Sequence, residues 1–157
     1  MMRLQNGQRF PKLDIQTIDG AIQMPEFLSG SFGVVLIYRG HWCPYCNAQL
    51  AGFERASAKL SALGVRVVAL SVDDQATTAG LIEKHKLRFP VGFGADAGKV
   101  AAVTGAYLAD EQRHLQTTGF VLAPDGTVLV AVYSSSAIGR LVADDVAGLV
   151  EYFKSKG

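Results

Sequence analysis

One stretch, residues 34–50 with the sequence VVLIYRGHWCPYCNAQL, limits the fold of this chain more than any other. Residues 34–38 form a continuous apolar and β-branched run, as expected of a strand buried on both faces. After four intervening residues comes Cys43, followed by Pro44. Proline suits the first position of a helix, where its missing N–H is one of those that lack an intrahelical partner. A buried strand that runs within a few residues into a helix start predicts a βα unit. The only two cysteines of the chain, Cys43 and Cys46, lie at its corner.

The remaining segments extend this alternation. Residues 47–63 carry Leu50, Phe53, Leu60 and Leu63 near helical spacing, and Gly64 closes the pattern. Residues 65–72 (VRVVALSV) read as a second buried strand, and residues 75–86 as a helix. Residues 87–96 (LRFPVGFGAD) follow, with Pro90 taken as a strand start, and then a short helix in AGKVAAVTGA. TGFVLA, the turn PDG and TVLVAVYS predict a β-hairpin. A last helix over 139–154 carries an apolar stripe of Leu141, Val142, Val146, Leu149, Val150 and Phe153, assigned to core packing. The order predicts an α/β fold with a central mixed β-sheet flanked by helices, in a single domain over 1–157.

Composition narrows the function classes. Hydrophobic residues make up 49% of the 157, enough to bury a core. Fifteen basic residues against 14 acidic ones give a net charge of +1, which supplies no electrostatic reason for nucleic acid or an anionic membrane as partner. The apolar runs are too short to span a bilayer. The N-terminus, MMRLQNGQRFPKLDIQ, has no apolar core of a secretory signal, so a cytoplasmic location is expected. In that reducing setting a C-x-x-C pair points to redox catalysis or metal binding rather than a permanent bridge.

The local geometry favours redox chemistry. As N-cap of the helix that Pro44 opens, Cys43 directs its sulfur at free backbone N–H groups and the positive end of the helix dipole, both of which favour thiolate. Lowering a thiol from about 8.5 to about 7 takes only about 2 kcal/mol. Arg39 and His41 stand near enough in sequence to add positive charge. Cys46, three residues on, shares the helix face at a Cα separation of roughly 5 Å, within disulfide range. Cys43 is therefore expected to be the exposed nucleophile and Cys46 the more buried resolver. A structural disulfide over so short a loop adds little stability. A zinc site needs four ligands, and His41, His85 and His114 lack the usual spacing. No metal and no cofactor are expected.

The stretch resembles the thioredoxin active-site segment: apolar strand, Trp before the first Cys, C-P-x-C, then helix. The chain as a whole resembles the alkyl hydroperoxide reductase/thiol-specific antioxidant family, the peroxiredoxin-like redoxins. GQRFPKLDIQTIDG, GVRVVALSVDD, KHKLRFPVGFGAD and TTGFVLAPDGTVLVAV carry that likeness. The resemblance implies a thioredoxin-like fold with an N-terminal extension, and Cys-based reduction of a peroxide or a disulfide. It also implies thioredoxin, glutaredoxin or glutathione as reductant; C-P-Y-C is the glutaredoxin pattern. Redoxins often form homodimers. The sequence departs from the family at three places. Its P-x-x-x-T-x-x-C motif finds Leu36 and Gly40 where Pro and Thr stand, and Thr117 occupies the place of its late Arg. Arg39 is the candidate to replace that Arg. Thioredoxin's buried acid, six residues before the Cys, is Ile37 here. Trp42 is expected to shield one side of the site, Tyr45 to contact substrate, His41 to steady the thiolate or act as base, and His85 and His114 to lie on the surface. The competing readings are a thioredoxin-type protein disulfide reductase without peroxidase activity, and a metal-binding or adaptor module.

Overall fold

The apolar run becomes β3 (Phe32–Ile37), whose residues from Gly33 onward are all buried. This computed structural model describes residues 3–109, 111 and 113–156. β3 is flanked by a parallel strand, β4 (Val65–Leu70), and an antiparallel one, β6 (Thr118–Leu122). The two-residue β5 (Val91–Gly92) and β7 (Val128–Tyr133) complete a five-stranded sheet of order β5-β4-β3-β6-β7. β6 and β7 pair antiparallel, as the PDG turn predicts. Before the sheet, β1 (Leu13–Thr17) and β2 (Gly20–Met24) form a separate antiparallel hairpin. It joins the main body where the Phe93 N–H donates to the Gln16 carbonyl at 2.9 Å.

Alternation along β3 explains why the run has no polar position. Val34, Leu36 and Tyr38 face one layer, with Leu50 and Phe53 of α1 (Pro44–Arg55), Leu60 of α2 (Ser57–Ala62), Leu81 of α3 (Gln75–His85), and Val146 and Val150 of α5 (Ala143–Lys156). Val35 and Ile37 face the other, with Phe10, Ile15, Met24, Phe120 and Val100 of α4 (Ala97–Thr104). Both faces are covered, so every side chain of the central strand is apolar. Cys43 and Cys46 belong to the first layer.

Three expectations change. The helix begins at Pro44 as expected, but the run expected to continue to 63 is two helices, because the backbone breaks at Ala56. The last helix starts at Ala143, four residues after the expected start at 139. Leu141 reaches the core from the preceding loop, where its carbonyl accepts from Gln49, and Val142 is exposed. An apolar periodicity does not distinguish a helix from a loop that packs on the same groove. Among the described residues, no helix is long and apolar enough to cross a membrane.

Candidate active site

Cys43 is the N-cap of α1, in extended conformation, and Pro44 is its first helical residue. The Cys43 sulfur accepts the Cys46 N–H at 3.2 Å, the bond a capping side chain makes to an otherwise unpaired helix-end donor. The Cys46 thiol donates to the same sulfur at 2.6 Å. Both cysteines are free thiols. Cys46 also takes the Arg39 backbone N–H at 3.4 Å, so the strand end and the helix start close around it.

The expected contrast in exposure is absent: Cys43 and Cys46 are both 0% exposed. The cap itself is the reason, since bonding the Cys46 N–H turns the Cys43 sulfur inward, toward the layer that holds Leu36 and Leu50. The two thiols differ in electrostatics instead. Burial pushes the Cys43 thiol up. The hydrogen bonds from the Cys46 thiol and backbone outweigh it, with the Arg39 side chain and the Arg140 charge, and hold Cys43 below the ordinary thiol range. Burial also pushes Cys46 up, and so does the proton it shares with Cys43. The Arg39 N–H and Arg140 do not overcome these, so Cys46 stays above that range.

Arg140 is the site residue that sequence reasoning missed. Its Nη2 lies 3.6 Å from the Cys46 sulfur. Its Nη1 donates to Gln49 Oε1 at 2.8 Å, its Nη2 to Thr117 Oγ1 at 2.8 Å, and Nε and Nη2 to the Ala137 carbonyl at 3.1 and 2.6 Å. The loop that carries it is itself tied, because Ser134 Oγ donates to the carbonyls of Ser136 and Ile138. Thr117 is buried just before β6 and orients this guanidinium rather than touching either sulfur. The signal was faint: Arg140 lies 94 residues from Cys46, in a loop whose apolar neighbours imitate a helix.

Arg39 reaches the site through its side chain, which helps lower Cys43, and is held by further contacts. Its Nε donates to Gln116 Oε1 at 2.9 Å, and its guanidinium sits 4.9 Å from the Trp42 ring centroid. Trp42 is half exposed and meets the His114 ring edge-on at 5.0 Å. The indole folds back over Gly40, where a Cβ would lie 2.4 Å from Trp42 Nε1. His41 turns from the sulfurs: its N–H donates to Asp73 Oδ2 at 2.8 Å, and its ring Nδ1 is 3.5 Å from the same oxygen. Tyr45 is 53% exposed. Neither of the other two histidines is a free surface residue. His85 shares a 2.8 Å hydrogen bond with Asn47 Oδ1, and Asn47 Nδ2 donates to the carbonyls of His41 and Cys43 at 2.8 and 2.9 Å. His114 packs on Trp42.

A parallel βα unit with a C-x-x-C at the helix N-terminus, beside an antiparallel pair, defines a thioredoxin-fold protein with a dithiol site. The chain belongs to the AhpC/TSA family, whose sequence pattern matches residues 6–131, and it is a peroxiredoxin-like thiol-dependent oxidoreductase. It is similar to the peroxiredoxin of Methanothermobacter thermautotrophicus, 25% identical over 146 residues that cover 89% of this chain and 69% of that one. Among solved structures it is similar to peroxiredoxin 6 of Arenicola marina, with a TM-score of 0.85, 17% identity, and coverage of 96% of this chain and 74% of that one. It is also similar to peroxidoxin BcpB of Mycobacterium tuberculosis, with a TM-score of 0.82, 19% identity, and coverage of 96% and 98%.

Proposed function

We propose that Cys43 and Cys46 are the redox dithiol of this enzyme, with Cys43 the attacking thiolate and Cys46 the resolving thiol. The observation that carries this is the position of Cys43 as N-cap of α1, where its sulfur accepts both the Cys46 N–H and the Cys46 thiol, so negative charge is favoured on Cys43 and the proton on Cys46. A Cys43 thiolate attacks one oxygen of a peroxide, the O–O bond breaks, the other oxygen leaves as hydroxide or alkoxide and takes a proton from solvent, and a Cys43 sulfenic acid forms. The Cys46 sulfur then attacks Cys43, water leaves, and a Cys43–Cys46 disulfide results. With a disulfide substrate, Cys43 forms a mixed disulfide and Cys46 expels the reduced product. In either case two thiols of an external reductant, of the thioredoxin, glutaredoxin or glutathione class, restore the pair. Arg140 stabilises negative charge on sulfur, and Gln49 and Thr117 hold it in place. Trp42, Tyr45 and Pro44 flank the pair on the substrate side, and Asp73 fixes His41 in the wall.

The Gly40–Trp42 contact supports disulfide reduction as a second reading. Where the resemblance predicts a Thr, the space above Gly40 holds the indole ring, so no hydroxyl faces an incoming peroxide there. The deciding experiment compares hydrogen peroxide, an organic hydroperoxide and a protein disulfide as oxidants of the reduced enzyme, with intact mass recording loss of two hydrogens. Rapid bridge formation with a peroxide supports the peroxidase. Rapid oxidation by the protein disulfide alone supports the reductase, and failure with all three removes the dithiol mechanism.

A further inference from the structure

The central sheet is ragged on its β5 side. β5 is two residues long and pairs only with Ala69 and Leu70, so Val65, Arg66 and Val67 of β4 have a strand neighbour on the β3 side alone. Ala69 directs its N–H outward, to the Pro90 carbonyl at 3.0 Å, whereas the Gly64 carbonyl turns inward and accepts from Phe32 at 3.0 Å. By alternation along the strand, Val65 and Val67 present their N–H and C=O groups to the same outer side as Ala69. Among the described residues, no backbone group is bonded to them there.

Side chains keep this edge open. Just before β5, the Arg88 backbone N–H donates to Glu54 Oε1 at 2.7 Å, its Nε to Glu54 Oε2 at 2.6 Å and its Nη2 to Ser57 Oγ at 2.6 Å. These bonds hold residue 88 against α1 and α2, away from the edge, and leave an open cavity of about 440 Å3 lined by Phe53, Leu60, Val65, Val67, Phe89 and Arg66 among others. The charge around it is positive. Arg66 is exposed, donates to the Phe27 carbonyl and lies 4.4 Å from the centroid of the Phe27 ring. The Arg88 side chain is 76% exposed. Lys154 Nζ donates to the Leu63 carbonyl at 3.1 Å, at the start of the same edge. The acid that lines the cavity, Glu54, is already taken by Arg88. An unpaired strand edge is a template for another chain.

We propose that the free edge of β4 is a docking site for an extended acidic segment of a partner protein, which adds as a short strand beside residues 65–67. The N–H and C=O groups of Val65 and Val67 supply the pairing, and alternation sorts the side chains of the incoming segment. Val65 and Val67 face the helical layer, so the residues opposite them enter the cavity against Phe53 and Phe89 and are apolar. The residue between them faces the other side, beside Arg66 and Phe27, and is Asp or Glu, because opposite charges on neighbouring strands attract. The Phe27 contacts hold the Arg66 guanidinium before anything binds, so little freedom is lost in ordering it. A second copy of this chain fits less well, since its own β4 brings Arg66 against the same cations and like charges there repel. Residues 65–67 pair with 32–34, the first half of β3, whereas Cys43 follows its other end. The docking site is therefore separate from the thiols and does not depend on the dithiol reading.

The test uses the full-length chain, with its thiols kept reduced, and two end-blocked heptapeptides, one alternating Val and Glu, the other Val and Lys. Anisotropy of the labelled peptides gives their affinities, and NMR-detected hydrogen exchange reports on the Val65 and Val67 amides. The Val/Glu peptide is expected to bind at least about tenfold more tightly than the Val/Lys peptide and to slow exchange at both amides. Arg66→Glu should reverse that preference. Arg66→Gln, which keeps a polar group near the Phe27 carbonyl, should narrow it at least about threefold, so the charge requirement stays testable even if Arg66→Glu does not fold. Methylating the backbone nitrogens of the Val/Glu peptide removes its donors without changing its charge and should abolish binding. Equal affinity for the two peptides, binding that survives methylation, or binding without added protection at Val65 and Val67 overturns the proposal. Protection of both amides that rises with protein concentration in the absence of peptide assigns the edge to a second copy and overturns it as well.

Discussion

Two regions meet at the Cys46 sulfur and differ in how they reach it. The first turn of α1 arrives by adjacency: a strand end, five connecting residues, and a capped helix whose N-terminal dipole faces the Cys43 thiol. The loop between β7 and α5 arrives from 94 residues away, and its guanidinium is held by a carbonyl, an amide and a hydroxyl taken from three separate segments. The local region makes the two thiols unequal, since each bond that lowers Cys43 leaves Cys46 holding the proton. The distant region adds positive charge to both without changing their order. A capped thiol can thus be specified by a dozen contiguous residues, while its charge environment depends on the whole fold.

The most severe way to break this pair is Cys43→Ser, expected to lower peroxide- or disulfide-driven turnover by at least about 10^3-fold. Cys46→Ser should instead let Cys43 react once and stall as a sulfenic acid or mixed disulfide, visible by intact mass. Equal loss in both variants, with no trapped adduct, would sink the division of roles. Arg140→Met separates the distant region from the local one: turnover should fall by about 10- to 100-fold while the Cys43 cap survives. Rates of iodoacetamide alkylation against pH would show it, with the Cys43 profile moving toward ordinary thiols but still below Cys46.

The pH dependence sharpens the same contrast. A thiol lowered by folding adds stability that is fully present above its unfolded value and is lost as pH falls through its folded one. Cys43 is of this kind. Cys46, raised by folding, has the opposite sign: stability falls as pH rises from its unfolded value through its folded one. In urea titrations across pH 6 to 10, Cys46→Ser should therefore gain stability with rising pH relative to Cys43→Ser. Parallel curves would contradict the opposed shifts.

Gly40→Thr asks whether the indole governs access. A Cβ there meets Trp42 Nε1 at 2.4 Å, so the ring must swing out, with a change in Trp42 fluorescence and a cost of about 1 to 3 kcal/mol. If peroxide turnover rises relative to disulfide turnover, the Gly40–Trp42 pair sets the oxidant. The smallest effect is expected at Asn47→Ala, which removes the tie between His85 and the His41–Cys43 turn for about 1 kcal/mol of stability.

Much of the fold could be read from period and punctuation. An unbroken apolar run meant a strand covered on both faces, PDG between two such runs meant a hairpin, and Cys-Pro after a short connection meant a capped helix. The site was legible for the same reason wherever its parts are contiguous. It stopped being legible where a residue's role depends on which way it faces. His41 looked like a partner for a thiolate and is turned to Asp73; Arg39 does help lower Cys43, but its guanidinium also packs against Trp42, and the second positive charge comes from Arg140. The two cysteines looked unequal in exposure and are equally buried.

By itself, then, the sequence determined the capped C-x-x-C at the end of a buried strand, because helix capping and strand burial act over a few neighbouring residues. Only the tertiary structure decided that Arg140 reaches the Cys46 sulfur and that Thr117, already a candidate, holds its guanidinium. Those choices depend on how separate segments pack against one sheet, and no local periodicity encodes which loop closes over which strand end.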